Sequence, residues 1–247
     1  MKTFLIGSNI SNSQSPALHR AWIAAHGLAA TYDLLETTDF EEAFHSKCDD
    51  AIGFNITAPF KDDAVEFCDE LSKTARAVGS VNTMVLEDGK WVGHNTDSHG
   101  FRQGLAVDHA RIHSALVLGC GGAAKAVLHG LLAIGDIEIT LASRNDDKAR
   151  RIAFNHLVNH ADWFDFDRDL RPYDLIVNAT GSRDLEVDLT QTGAIIYDLL
   201  YGEESAMIKA GKAQRLKTID GSEMLKHQAA KSFKLWFDID PVIQQNS

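Results

Sequence analysis

The 247-residue chain has no excess of basic side chains: 24 Lys and Arg stand against 35 Asp and Glu, a formal net charge of −11. A nucleic-acid or anionic-membrane surface needs a basic face, so neither partner is expected. A local Lys/Arg cluster can still take a small anion. No apolar run reaches the roughly 18 residues that a membrane span needs, and the apolar stretch within Met1–Gly7 is too short for a secretory signal. Cysteine is scarce: Cys48, Cys68 and Cys120 lie far apart with no C-x-x-C pair, which reads as reduced thiols in a cytoplasmic protein. There is no P-loop, no nucleophilic-serine elbow, no internal repeat and no Pro/Gly/Ser-rich linker. His156 and His160 share a helix face, but a metalloprotease needs Glu at position 157, where this chain has Leu157. No metal site is expected there, nor at His109 or His113.

What remains is an alternation of apolar runs and amphipathic stretches, the pattern of an α/β protein. Residues 3–7, 31–35 and 51–56 read as strands. A helix is expected from Ser15 as N-cap and Pro16 at the first helical position to Gly27 just past its end. Another is expected to open near Pro59. Val81–Leu86 and Trp91–Gly93 flank Asp88-Gly89, a hairpin turn. From residue 115 the alternation is regular, with strands at 115–119, 137–142, 174–178, 194–198 and 216–219. Helices fall at 122–134, 146–156, 205–212 and 223–236.

The first of these later strands runs into Gly119-Cys120-Gly121-Gly122-Ala123 and then a helix. Gly119 allows a tight turn, Gly121 lets backbone approach a pyrophosphate, and the helix N-terminus from Gly122 and Ala123 faces that phosphate. At the end of the next strand an NAD enzyme places Asp or Glu for the ribose hydroxyls. This chain has Ser143-Arg144-Asn145, with Lys148 after it. Arg144 suits a 2′-phosphate through planar, charge-assisted hydrogen bonds, so NADP is expected over NAD. Asn178-Ala179-Thr180 ends a further strand, where nicotinamide-ribose contacts are expected.

Three polar clusters lie outside this half: Ser13-Gln14-Ser15, Asn55–Lys61, and Asn82-Thr83 with Asn95-Thr96-Asp97. Each follows or ends an apolar strand. Lys61 and Asp97 are their ionisable members, and carbonyl reduction needs a cation and then a proton for the developing alkoxide.

Seven segments in order resemble the shikimate dehydrogenase family: Ser13-x-Ser15-Pro16, Gly53-x-Asn55-x-Thr57-x-Pro59-x-Lys61, Gly79–Thr83, Asn95-Thr96-Asp97-x-x-Gly100, Gly119–Ala123, Asn178–Thr180, and Met224-Leu225-x-x-Gln228-Ala229. The resemblance implies a Rossmann-type NADP-binding domain (100–222) inserted in a discontinuous α/β substrate-binding domain (1–99 plus 223–247). It implies interconversion of 3-dehydroshikimate and shikimate with NADP(H), Lys61 and Asp97 being the catalytic pair. Ser13 and Ser15 would bind the substrate carboxylate, and Asn55, Thr57, Asn82 and Gln228 its ring hydroxyls. Tyr201 would lie between substrate and nicotinamide, which Gly221 and Met224 would touch. A monomer or homodimer is expected. The family's Tyr-x-Pro-x-x-Thr-Pro loop is here Tyr201-Gly202-Glu203-Glu204-Ser205, and Glu223 and Lys148 are further departures. A paralogue acting on quinate and a non-catalytic NADP sensor are the alternatives.

Overall fold

The computed structural model describes residues 1–105 and 111–244, so His109 lies outside the described residues. The chain divides into two compact units, Met1–Gly100 with Leu225–Ser247, and Phe101–Met224.

In the first unit, β1 (Lys2–Gly7), α1 (Ser15–Ala25), β2 (Thr31–Glu36), α2 (Phe40–His45) and β3 (Ala51–Ile56) come first. β4 (Glu70–Leu71), α3 (Lys73–Val78), β5 (Thr83–Glu87) and β6 (Lys90–His94) follow. The sheet order is β2-β1-β3-β5-β6-β4. β1 lies parallel to β2 and β3, while β5 is antiparallel to β3 and β6. The β5–β6 turn falls on Asp88 (φ 48°) and Gly89 (φ 78°), the paired positive φ values that match strand twist in a two-residue hairpin. Asp39 and Ser72 cap α2 and α3, and Gly79 (φ 67°) ends α3.

Two expectations fail here. Ser15 is the first residue of α1 rather than its cap; Gln14 holds the cap position without a side-chain bond, and Ser13 Oγ accepts from the Ser15 N–H instead. No α-helix opens at Pro59. The Ala58–Pro59 peptide is cis, Phe60 N–H closes a turn on Thr57, and only a 3₁₀ turn (Asp63–Phe67) follows.

Helix α4 (Asp97–Gly104) leads out of this unit, and α8 (Ser222–Phe237) leads back into it. From α8, Ala229, Phe233 and Trp236 join Leu5, Trp22 and Tyr32 in an apolar cluster. The Trp236 indole lies where a Cβ on Gly53 would stand, and its N–H donates to the Met84 carbonyl at 3.0 Å. His19 is wholly buried in this cluster, stacked 4.2 Å from the Tyr32 ring, and neither ring nitrogen has a hydrogen-bond partner. Burial therefore pushes its pKa down from 6.5 to about 3. The unfolded chain takes up this proton as pH falls through 6.5 while the folded chain resists it until about 3. Stability from this group is thus full above pH 6.5 and is lost between those limits, by about 2 kcal/mol at pH 5. Urea unfolding at pH 7.5 and 5.0 should show that His19→Phe loses less stability on acidification than the parent chain; equal losses would refute the assignment.

The second unit contains β7 (Ser114–Leu118), α5 (Gly122–Leu132), β8 (Glu138–Ala142), α6 (Asp146–His156) and β9 (Asn159–His160). It continues with β10 (Leu175–Asn178), β11 (Ile195–Asp198), α7 (Ala206–Ala213) and β12 (Thr218–Ile219). All pairs are parallel, in the order β12-β11-β10-β7-β8-β9. Alternate strand residues enter separate cores. Ala115, Val117, Leu141 and Val177 pack with α5 and α6, whereas Leu116, Leu118, Ile176 and Ile196 pack with Met207, Phe166 and Leu170. A parallel sheet covered on both faces explains why its strands read as continuous apolar runs. No helix among the described residues is long and apolar enough to cross a membrane.

Candidate active site and dinucleotide cradle

Strand polarity gathers the polar clusters of the first unit. The carboxyl ends of parallel β1 and β3 share a sheet edge with the amino end of β5 and the carboxyl end of β6. Thr57 N–H bonds the Ile6 carbonyl (2.9 Å), Ser8 N–H the Ala58 carbonyl (3.1 Å), and Val81 N–H the Lys61 carbonyl (2.8 Å). The loops carrying Ser13, Ser15, Thr57 and Lys61 are thereby stitched at one edge.

There, Lys61 Nζ donates to Asp97 Oδ2 at 2.6 Å, with side chains only 16% and 5% exposed. The Asn82 amide donates from Nδ2 to Asp97 Oδ1 and Thr96 Oγ1, both at 2.8 Å. Its Oδ1 accepts the Thr96 N–H at 2.7 Å, which fixes the amide's orientation. Gln228 Oε1 lies 3.3 Å from both Asn82 Nδ2 and Thr96 Oγ1. One carboxylate oxygen is therefore held by a neutral donor while the other faces the ammonium.

Asn55 lies beneath. Tyr32 OH donates to its Oδ1 at 2.9 Å, and its Nδ2 reaches the Asn82 carbonyl, Thr83 Oγ1 and Ser232 Oγ at 3.1–3.2 Å. Thr83, Thr96 and Ser232, all buried, complete this hydroxyl cluster. Sequence reasoning missed Ser232 and Tyr32 as members; the usable signal for Ser232 was its place one helical turn after Gln228.

In the second unit, loops meet where the strand order reverses, between β7 and β10. Gly119 (φ 120°) donates its N–H to the Ala142 carbonyl at 2.8 Å and ends β7 one residue earlier than expected. A Cβ on it would stand 2.7 Å from the Ala179 carbonyl oxygen. Gly121 is the N-cap of α5 and offers no side-chain cap, and a Cβ there would meet nothing within 4 Å. The helix start is thus open and lined by backbone N–H groups, which fits a pyrophosphate. At the end of β8, Ser143 is buried with Oγ 3.1 Å from Cys120 Sγ, and Asn145 caps α6 through the Lys148 N–H. Arg144 is exposed beside them.

Asn178 Oδ1 accepts both Thr180 N–H (3.1 Å) and Oγ–H (2.7 Å). Its Nδ2 donates to Asp198 Oδ2 at 2.9 Å. Asp198, fully buried and not foreseen, also accepts from Ser205 Oγ (2.6 Å) and Leu200 N–H (2.9 Å). Gly221 is pressed so close to the Leu199 carbonyl that a Cβ would overlap it, and Met224 is buried in the core of this unit. Tyr201 is half-buried and Glu223 lines a cavity of about 310 Å³ with Leu200, Glu203 and Asp220. His160 Nε2 lies 2.9 Å from Asp146 Oδ1, and His156 sits in the last turn of α6 with its pKa lowered by burial and then by Lys125 and His129.

An all-parallel sheet ordered β9-β8-β7-β10-β11-β12, with a glycine cradle at its switch point, is the dinucleotide-binding architecture. With a buried Lys–Asp pair on the same chain, it defines a nucleotide-dependent oxidoreductase. The profile of the shikimate dehydrogenase substrate binding domain matches residues 5–84. The NADP(+) shikimate dehydrogenase of Caldicellulosiruptor bescii is 34% identical over 264 residues, covering 96% of this chain and 90% of that one. This chain belongs to the shikimate dehydrogenase family. Among solved structures, the shikimate 5-dehydrogenase of Thermus thermophilus, in complex with NADP(H) and shikimate, superposes with a TM-score of 0.85 at 28% identity, covering 98% of this chain and 95% of that one. Quinate dehydrogenase from Corynebacterium glutamicum, in complex with NAD, gives 0.86 at 28% identity and the same coverage.

Proposed function

We propose that this protein is an NADP-dependent oxidoreductase interconverting 3-dehydroshikimate and shikimate, acting in the cytoplasm as a monomer or homodimer. The observation that carries this reading is the buried Lys61–Asp97 pair, 2.6 Å apart, at a sheet edge crowded with hydroxyl and amide groups. The first unit supplies substrate recognition and the second the dinucleotide cradle. The bound cofactor supplies hydride for reduction and takes it back for oxidation.

The protein's own part is electrostatic and protonic. The Lys61 ammonium sits against the substrate carbonyl oxygen, stabilises the charge that develops there, and gives it a proton. Asp97 orients Lys61 through Oδ2, while Asn82, fixed by its Thr96 anchor, holds Oδ1. Ser13 and Ser15 take the substrate carboxylate, and Thr57 and Gln228 its ring hydroxyls. Asn82 stands between Asp97 and those hydroxyls. Asn55, whose amide is held by Tyr32 and Ser232, joins Asn82 in taking the ring hydroxyls. Arg144, with Lys148, takes the 2′-phosphate; Gly119, Gly121, Gly122 and Ala123 the pyrophosphate; and Ser143 and Asn145 shape the adenosine end. Asn178, Ala179, Thr180, Gly221 and Met224 serve the nicotinamide end, with Tyr201 facing the substrate.

Purified protein with NADP or NAD and a panel of shikimate, quinate and simpler hydroxy acids, followed by reduced-nicotinamide absorbance, tests the reading. Fastest turnover of shikimate with NADP is expected. Preference for quinate would make the chain a paralogue, a result that the proline-free loop after Tyr201 and Glu223 leave room for. Cofactor binding with no turnover on any substrate would make it a sensor.

A further inference from the structure

The loop after β11, Leu199–Glu204, contains no proline and includes Gly202 at φ 86°, with residues 202–204 exposed. Such a segment has every entropic reason to move: glycine loses more freedom on ordering than any other residue, and nothing covalent restrains its neighbours. Yet it is held at each end and in its middle. At its start, Leu200 N–H bonds the buried Asp198 carboxylate (2.9 Å), and the Leu200 carbonyl accepts Gly221 N–H (2.8 Å). Just past its end, Ser205 donates to the same carboxylate while capping α7 through Ile208 N–H. The middle is held by a residue from a different loop. Arg183, five residues past β10, donates from Nη2 to the Tyr201 carbonyl (2.8 Å) and from Nη1 to the Glu203 carbonyl. Its own carbonyl accepts Ala206 N–H at 2.8 Å.

We propose that Arg183 is a positioning residue for cofactor and substrate binding: its planar fork spans two carbonyls, fastens the β11 loop to the β10 loop, and so sets the backbone from which Tyr201 projects. The inference rests on the reading that Tyr201 and the Asn178–Thr180 segment serve the nicotinamide end. The two loops follow neighbouring parallel strands, so a group bound across their carboxyl ends feels both at once. Asp198 and Asn178 lock the bases of the loops inside the fold; Arg183 locks their outer parts, where Tyr201 lies. Lysine is a poor replacement because a single ammonium cannot present two fixed, diverging donors to two carbonyls. Glu204 pairs with Lys212 of α7, so the loop's charge is tied back along its other flank.

The loop carries its own reporter. Glu203 and Glu204 are targets for a glutamate-specific protease, which cuts only backbone that can leave its bonds. Arg183→Ala and Arg183→Lys, each in the full chain, should be cut after these residues faster than the parent under native conditions. For Arg183→Ala an increase on the order of 10-fold is expected from the loss of two charge-assisted hydrogen bonds. Titration of NADPH fluorescence should show a Kd weakened by roughly 5-fold or more, with Arg183→Lys between parent and Ala. Melting temperatures close to the parent's separate a loosened loop from a damaged fold; should Ala unfold, the Lys variant alone decides the matter. An unchanged cleavage rate overturns the clamp. Faster cleavage with unchanged NADPH Kd, KM and kcat leaves a purely structural staple and overturns the positioning role. If the parent chain itself bound neither NADPH nor NADP, the functional reading would fall, while the cleavage comparison would still report on the clamp.

Discussion

Replacing Lys61 with Ala should lower kcat on the order of a thousandfold while moving the KM for the substrate by less than about fivefold. The asymmetry follows from where charge appears. The ground-state carbonyl carries little negative charge, so the ammonium contributes modestly to binding. On the proposed mechanism, an alkoxide develops beside Nζ in the transition state, in a site where the side chains are 16% and 5% exposed, and a fixed cation there outweighs anything water offers. The variant also strands Asp97, leaving its Oδ1 held by the Asn82 amide at 2.8 Å and its Oδ2 without the ammonium. Removing one member of a buried ion pair costs on the order of 3–5 kcal/mol when the other stays charged. A thermal melt should therefore fall too, and kcat must be read on the folded fraction. Steady-state kinetics in both directions checks the split. Retention of more than about a tenth of kcat, or a loss carried mainly by KM, would remove Lys61 from the proton-donor role.

The second large effect is expected at Gly119, and it is sharpest beside Gly121. Alanine at 119 meets two obstacles in the protein alone: φ is 120°, a region L residues rarely adopt, and the Cβ would stand 2.7 Å from the Ala179 carbonyl. The turn and the β10 loop must separate, at a cost of roughly 1–3 kcal/mol from backbone strain before the contact is counted. Gly119→Ala should melt several degrees lower and bind NADPH at least about tenfold more weakly. Gly121 has ordinary negative φ (−86°) and open space around its missing Cβ. Gly121→Ala should therefore melt like the parent and still lose affinity, because its methyl meets only the bound phosphates. Melting curves and NADPH titrations on the pair decide this. If both variants bound NADPH as the parent does, the pyrophosphate would have to be placed elsewhere.

Sequence pattern reached some parts of this fold because their causes are local. Asp88-Gly89 needs two positive φ values, and few other residue pairs supply them. The strand beginning at 114 reads as buried because both of its faces are covered, so Leu116 and Leu118 on one side and Ala115 and Val117 on the other leave no polar alternation. The opening at Pro59 was misread because proline at a helix start and proline in a strand-end turn look alike in one dimension. Ser15 was misread for a similar reason: it has cap chemistry, but the bond runs from its own N–H to Ser13. Helices α2 and α3 have only six residues each, too few to display a period. The buried supports were the least legible. Ser232 meets Asn55 across 177 residues of sequence, and Arg183 grips carbonyls, which carry no identity at all. Groups that recognise backbone leave no complementary residue to search for.

The path of the chain between its two units also has a consequence for biosynthesis. Residues 101–224 form a continuous unit, whereas the unit holding Lys61 and Asp97 is completed only by residues after 225. On the ribosome, every segment of the dinucleotide unit has therefore been made before Phe233 and Trp236 exist to cover Leu5, Trp22 and Tyr32. Until then the face of the first sheet around Gly53 lacks the indole that lies on it. A nascent or prematurely terminated chain would thus own a finished cofactor cradle and an unfinished catalytic half, with apolar surface exposed and ready for a chaperone.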